Sequence, residues 1–357
     1  MIAAHLLISI VVLALSGRVT RHLSLPASRL RLLDHPNERS LHDKPMPRTG
    51  GLAILLSFAT GLIAELLLKI SGISGDSNFV VSNLLIIAML FFIAVVSLLD
   101  DWKELAPAIR LMVHIAAACG VVFGARVTIG SLALPVLGSY QLSLLAVPLT
   151  ILWLVWMTNL YNFMDGMDGF AGGMSVVGFG FLCLIAWGGH YYFMALLALL
   201  AAASAGGFLI FNRPPARIFM GDVGSTFLGF LAGTLAVMGV HLELFDLWVP
   251  VLIFSPFIVD ATVTLLRRLL RGEKVWQAHR EHYYQRMVLA GWSHRKTVLA
   301  EYILMIGCGA SAVVYMKVGA TTRLVILLGC AFVYLLLAFG VRLAEQRKNL
   351  RPPELAI

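Results

Sequence analysis

Eleven nearly uncharged apolar runs dominate this chain of 357 residues, and each is long enough to cross a bilayer. Crossing in helical form takes roughly 20 residues. The runs lie near 2–17, 51–70, 80–99, 109–125, 142–160, 171–188, 191–211, 224–240, 246–266, 298–316 and 322–341. Hydrocarbon offers no water to satisfy backbone N–H and C=O groups, so each run has to close its hydrogen bonds internally as an α-helix. Composition agrees: 59% of residues are apolar and 13% charged, against about 45–50% and 25% in soluble domains. That balance excludes a soluble globular domain, a disordered chain and a collagen-like one. The expectation is an all-α polytopic membrane protein, a bundle of about 10–11 transmembrane helices forming a single domain over residues 1–357. No Lys or Arg precedes the first run, so it reads as a membrane helix rather than a signal peptide. Cys119, Cys183, Cys308 and Cys330 sit singly in apolar runs with no CxxC pair and read as packing residues.

Charge orients the bundle. Of 27 Lys and Arg, all but Lys69, Arg126, Lys317 and Arg323 fall in odd-numbered connections or the C-terminal tail. Short loops rich in Lys and Arg stay cytoplasmic, which puts the N-terminus outside and the C-terminus inside. The net charge of +8 is therefore mainly a topology signal, with some attraction for anionic membrane lipids. No basic module interleaved with aromatics supports a nucleic-acid partner. Arg110 counts here only as one of these inward charges. Among the even connections, residues 126–141 alternate apolar residues with Gly and Ser around Pro135, the pattern of a small periplasmic hairpin.

The inward connections, near 18–50, 100–109, 159–170, 212–225 and 267–297, hold the unusual residues. One opens with Asp100-Asp101-Trp102-Lys103, another runs from Asn162 through Asp165-Gly166-Met167-Asp168-Gly169, and a third reads Phe219-Met220-Gly221-Asp222-Val223-Gly224-Ser225. Each acid lies at a helix end, and all face the side that the Lys and Arg count assigns to the cytoplasm. Taken alone, an Asp-Asp pair is a solvated cap and Asp-Gly repeats are turns; their coincidence on one face carries the reading. A unit-charge pair at 4 Å costs about 4 kcal/mol at an effective dielectric near 20, so converging carboxylates call for a cation. Hard oxygen ligands favour Mg²⁺ or Mn²⁺, and Mg²⁺ takes one or two carboxylates plus substrate phosphates. Arg39, Lys44, Arg48, Arg280 and Arg286 could neutralise a diphosphate, and His279 and His282 titrate near neutrality. His5, His114, His190 and His241 read as packing or interfacial residues. Asp260, inside the ninth run, is either functional or hydrogen-bonded to a neighbouring helix.

At these motifs the chain resembles the polyprenyl-phosphate N-acetylhexosamine-1-phosphate transferases, of the glycosyltransferase family 4 type. The superfamily includes the MraY translocase of peptidoglycan synthesis and the WecA and TagO enzymes of surface-polymer synthesis. The matching text is His35 to His42, Pro47-Arg48-Thr49-Gly50-Gly51, Asp100-Asp101, Asn162 to Gly169 and Phe219 to Ser225. The resemblance implies transfer of a sugar 1-phosphate from a UDP-sugar to undecaprenyl phosphate, releasing UMP, in a bacterial inner membrane with the site on the cytoplasmic face. It implies Mg²⁺ at Asp222 with Asp165 beside it, and Asp100 and Asp101 activating the lipid phosphate or holding metal. Asn162 and Asp165 would line the pocket, with Asp168 and Phe219 near the uracil and Lys44 at the nucleotide. A homodimer is compatible with it.

One stretch departs from the family. Where relatives carry two or three adjacent histidines, this chain reads His279-Arg280-Glu281-His282-Tyr283-Tyr284-Gln285-Arg286. Aligning His282 with the first family histidine leaves Tyr284 and Gln285 where others have histidine. That argues against a MraY assignment and for the branch initiating O-antigen or related lipopolysaccharide polymers. An ion-coupled transporter would place its acids near the bilayer midplane; here all but Asp260 cluster at helix ends. A CDP-alcohol phosphotransferase would need an Ala-Arg element that does not follow Asp165-Gly166.

Overall fold

The apolar runs do close as helices in the structure, a computed structural model that describes residues 2–28, 30, 32–36, 44–71, 81–103, 105–274 and 279–349. In chain order they are α1 (Ile2–Ser24), α2 (Gly50–Ile70), α3 (Val81–Lys103), α4 (Pro107–Cys119), α5 (Ala146–Phe163), α6 (Phe170–Gly188), α7 (Tyr192–Asn212) and α8 (Gly221–His241). The chain continues through α9 (Trp248–Ile253), α10 (Ser255–Leu270), α11 (Tyr283–Leu289), α12 (His294–Lys317) and α13 (Ala320–Asn349). Among the described residues, ten of these are long and apolar enough to cross a membrane.

The ninth run, read above as one span over 246–266, is two helices. Pro256 occupies the first turn of α10. A proline ring has no N–H and clashes with the carbonyl four residues earlier, so helix α9 ends at Ile253. The broken pair still connects the two ends of the bundle. Near its start, the indole of Trp248 donates to the Ala133 carbonyl (2.7 Å) in the hairpin of β3 (Ser131–Leu134) and β4 (Gly138–Gln141). Farther along, Asp260 meets His282 at the opposite, acid-bearing end. The hairpin itself forms as the sequence suggests, with Ser131 opposite Gln141 and Leu134 opposite Gly138.

Helix α8 sits at the centre, packed against α5, α3 and α2, and nearly all of it is buried. Its glycines allow this. A Cβ at Gly229 would lie 2.8 Å from the Met157 carbonyl oxygen, and one at Gly224 would lie 2.8 Å from Gly51 Cα. Small residues let membrane helices approach backbone to backbone, which replaces the hydrophobic drive that lipid removes. Helix α13, by contrast, is almost wholly exposed, as expected of a lipid-facing helix.

The crossing of α2 on α8 is the tightest of these contacts, since a Cβ on Gly51 would sit 2.2 Å from the Gly224 amide nitrogen. Backbone has to move to admit it. We expect Gly51→Ala to lower stability by about 1–3 kcal/mol, the usual range for overpacking. Gly180→Ala, which meets open space, should be neutral. Thermal unfolding of the detergent-purified variants measures both.

Candidate active site

Two of the sequence motifs are joined by backbone hydrogen bonds. The Phe219 amide donates to the Pro47 carbonyl (2.7 Å), the Gly50 amide to the Phe219 carbonyl (2.9 Å) and the Gly51 amide to the Met220 carbonyl (2.7 Å). On the other side, the Arg48 amide donates to Leu32 O (2.9 Å), beside the short pairing of β1 (Leu33–Asp34) with β2 (Met46–Pro47). Gly221 then turns the chain into α8 with φ +75°, and a Cβ there would lie 2.2 Å from the Arg48 carbonyl oxygen. Both conditions select glycine.

This turn aims the N-terminus of α8 at the acid pair. Asp101, buried at the end of α3, accepts from the backbone amides of Asp222 (3.4 Å) and Val223 (3.2 Å). First-turn amides of a helix have no partner within it and favour negative charge, so Asp101 caps α8 from another helix. Arg48 completes the joint: Nη2 donates to the Asp101 carbonyl (2.7 Å) and Nε lies 3.9 Å from its carboxylate.

The other acids converge around Arg110. Its Nη1 lies 3.3 Å from Asp100 Oδ2 and 3.5 Å from Asp222 Oδ2. Asp100 also accepts from the Leu105 amide (2.7 Å). Asn162 Nδ2 donates to Asp222 Oδ1 (2.8 Å) and approaches Ser225 Oγ (3.0 Å). Asp222 keeps 32% of its side chain exposed against 6% for Asp100, so Asp222 is the carboxylate a ligand can reach. Asp165 completes the cluster: burial pushes its carboxyl well above the usual carboxylate range, with the charges of Asp222, Asp101 and Asp34 adding to the rise and a bond from the Gly221 amide opposing it. Arg110 was counted in the sequence only for topology. The signal that could have found it is its position in the first turn of α4, ten residues beyond Asp100.

The remaining predicted residues form separate networks. Phe219 is half-buried in the joint described above, and Lys44 is exposed just before β2. Asp168 accepts from the Ala216 amide (2.9 Å) and lies 3.7 Å from His294 Nδ1, tying the 213–218 connection to the start of α12. Arg286 forms a bidentate pair with Glu345 of α13 (2.8 and 2.7 Å) and lies over the Tyr283 ring. Its guanidinium joins α11 to α13 rather than turning to the acids. Arg280 is half-buried ahead of α11. Arg39 and most of the 35–42 motif lie outside the described residues.

His282 is buried at the N-terminus of α11, its Nδ1 3.0 Å from Asp260 Oδ1. Asp260 also accepts from the Tyr283 (3.0 Å) and Tyr284 (3.3 Å) amides, so its carboxylate holds the first turn of α11. Burial, with the neighbouring His282 and Arg268 charges, lowers His279 to about 4. Tyr284 is fully buried. Its hydroxyl reaches toward the Phe163 carbonyl (3.5 Å) and lies 2.2 Å from where a Gly166 Cβ would be. The variant stretch is thus wedged beneath the Asp165-Gly166 turn.

Among the described residues, no three His, Cys, Asp or Glu side chains are placed to enclose a metal ion. Asp100 and Asp222 do present one oxygen each to the same cationic atom, Arg110 Nη1. Two hard oxygens with an open side fit Mg²⁺, which completes its shell with phosphates and water.

The family model of Glycosyl transferase family 4 matches residues 83–240, which hold Asp100, Asp101, Arg110, Asn162, Asp165 and Asp222. A probable undecaprenyl-phosphate N-acetylglucosaminyl 1-phosphate transferase of Bacillus subtilis is 30% identical over 81% of this chain and 78% of its own. The chain belongs to glycosyl transferase family 4. Other members are similar at lower identity. A phospho-N-acetylmuramoyl-pentapeptide-transferase of Halalkalibacterium halodurans is 27% identical over 71% of this chain and 78% of its own. A decaprenyl-phosphate N-acetylglucosaminephosphotransferase of Mycobacterium leprae is 26% identical over 81% and 78%.

Two outcomes follow from this geometry. Asp101→Ala strips the side-chain cap from α8, so stability should fall by about 1–3 kcal/mol, the cost of leaving buried groups unsatisfied, while Arg48 keeps the backbone carbonyl of residue 101 as its acceptor. Asp222→Ala, half-exposed, should melt within a degree or two of wild type. Asp165 has a folded pKa above its unfolded one, so the folded state binds the extra proton and stability falls as pH rises above the ordinary carboxylate range. Asp165→Asn should remove that part of the pH dependence and melt higher than wild type at pH 8. Melting curves from pH 5 to 8 test it.

Proposed function

We propose that this membrane protein transfers a sugar 1-phosphate from a UDP-sugar to undecaprenyl phosphate, releasing UMP and starting a lipid-linked surface polysaccharide. The observation that carries the reading is the meeting of Asp100, Asp101, Asp165 and Asp222 with Arg110 at one end of an apolar helix bundle. A lipid phosphate and a water-soluble nucleotide sugar can meet only at such a boundary. The positive-inside pattern supports a cytoplasmic face of a bacterial inner membrane for that end.

Phosphoryl transfer depends on positioning and charge neutralisation. Asp222, with Asp100 or Asp165 beside it, would hold Mg²⁺, which neutralises charge on the diphosphate when bound. Asn162 orients Asp222 through its 2.8 Å bond and, with Phe219, borders the nucleotide. Arg110 balances the acids before substrate arrives. A phosphate monoester has a second pKa near 6, so the lipid phosphate is largely a dianion at neutral pH and can attack the sugar-linked phosphorus directly. Its oxygen forms the new P–O bond as the bridging bond to UMP breaks, and Asp100 accepts any remaining proton. Arg48 and Asp101 position the helix that carries Asp222.

Purified enzyme with undecaprenyl phosphate, Mg²⁺ and a panel of UDP-sugars, UDP-N-acetylglucosamine first, should release UMP only when lipid is present. Asp222→Asn should cut turnover at least 100-fold, the scale for losing a group aimed at developing charge, while Glu243→Gln in the α8–α9 connection should not. EDTA should abolish activity and Mg²⁺ restore it. Release of UMP without the lipid, or none with any sugar, rejects the proposal.

A further inference from the structure

From residue 127 to residue 164 the chain holds no Asp, Glu, Lys, Arg or His. The hairpin of β3 and β4 lies within that stretch, at the end of the bundle opposite the acids. Its base is rooted. Val127 and Ile129 are buried, the Ile129 amide donates to Thr150 Oγ1 of α5 (2.9 Å), and the Leu142 amide donates to the Gly130 carbonyl (2.9 Å). Trp248 holds the Ala133 carbonyl from the start of α9.

Beyond its base the hairpin has two unlike faces. Directly opposed residues of paired strands share a face, as do residues two apart on one strand. Leu132 opposes Tyr140 and Leu134 lies two residues on, so these three form one face, while Ser131, Ala133, Ser139 and Gln141 form the other. Leu132, Leu134 and Tyr140 do not belong to the buried core, and the tip residues Val136 and Leu137 keep 59% and 68% of their surface exposed. An isolated two-stranded hairpin is marginal in water, and strand edges that face water are usually guarded by charge. This one carries no charge at either edge.

The turn adds an independent observation. Val136 adopts φ +73°, a conformation costly for a β-branched residue and free for glycine. A valine there accepts backbone strain to keep the tip apolar. The apolar surface also continues into the spans: Leu144, Leu145, Leu149 and Leu152 after the hairpin are all exposed, with no charged residue between them and the tip.

We infer that the hairpin is a lipid-docking element, its Leu132, Leu134 and Tyr140 face and its tip lying in the headgroup–acyl boundary of the leaflet opposite the acid cluster. The partner is the phospholipid surface. Tyr140 suits that depth, with an apolar ring and a hydroxyl for the headgroup layer, and Ser131, Ser139 and Gln141 turn to water. Through the Trp248 bond, the same contact sets the depth of α9.

Spin labels on the full chain in phospholipid nanodiscs test the inference. The readout is the ratio of collisions with oxygen, which concentrates in lipid, to collisions with a water-soluble nickel chelate. Labels go singly on Leu137→Cys, Tyr140→Cys and Ser139→Cys. Leu328→Cys on the exposed α13 gives the lipid reference and Glu243→Cys in the α8–α9 connection the water reference. The unsubstituted chain gives the background of its four native cysteines. The ratio at Leu137 and Tyr140 should approach that at Leu328 and exceed those at Ser139 and Glu243 severalfold. Positions 139 and 140 carry the same label, so a difference between them reports the two faces and not the label's own affinity for lipid. Ratios at Leu137 and Tyr140 matching Glu243 overturn the inference, because the tip then stands in water. Weak collision with both probes overturns it as well, because a second copy or another protein then covers the face.

Discussion

The capping of α8 by Asp101 is the interaction on which the rest of the active end depends. It joins three segments far apart in sequence: the end of α3, the first turn of α8 and, through Arg48, the chain entering α2. Without it, two first-turn amides of α8 would lose their acceptor. The charge of Asp101 therefore serves placement first, and its neighbours Asp100 and Asp222 are set around Arg110 as a result. The two members of an Asp-Asp pair have separate duties because successive residues on a helix point about 100° apart.

A helix delivered into a protein core usually exposes its ends. Here α8 is buried along nearly its whole length, so its N-terminus becomes the floor of a site. Glycine at 51, 221, 224 and 229 makes that burial possible by removing the side chains that would hold neighbouring backbones apart. The site thus rests on close helix packing as much as on the acids that define its chemistry.

Much of this was legible in the sequence. Hydropathy alone located the spans, because lipid leaves the backbone no alternative to helix, and loop charge placed the acids together on one side. The hairpin at 131–141 showed in its alternation and turn residues. What escaped had a common cause: roles set by partners distant in sequence. Arg110 looked like one more inward charge until α8 brought Asp222 to it. Asp168 and Arg286 belonged to the right motifs, but their side chains serve the Ala216 amide and Glu345. The ninth run was hydrophobic enough to read as one span, and hydropathy does not record that Pro256 interrupts it.

The wedge of Tyr284 beneath Gly166 limits how members of this family can exchange parts. The matched family region ends at 240, whereas Tyr284 enters from α11. A chimera cut between them would take its turn from one parent and its supporting ring from another. It would assemble only where the second parent supplies a group whose volume fits under a bare backbone. In this chain the volume of residue 284 and the bareness of residue 166 are therefore coupled, and a change at one has to be met at the other.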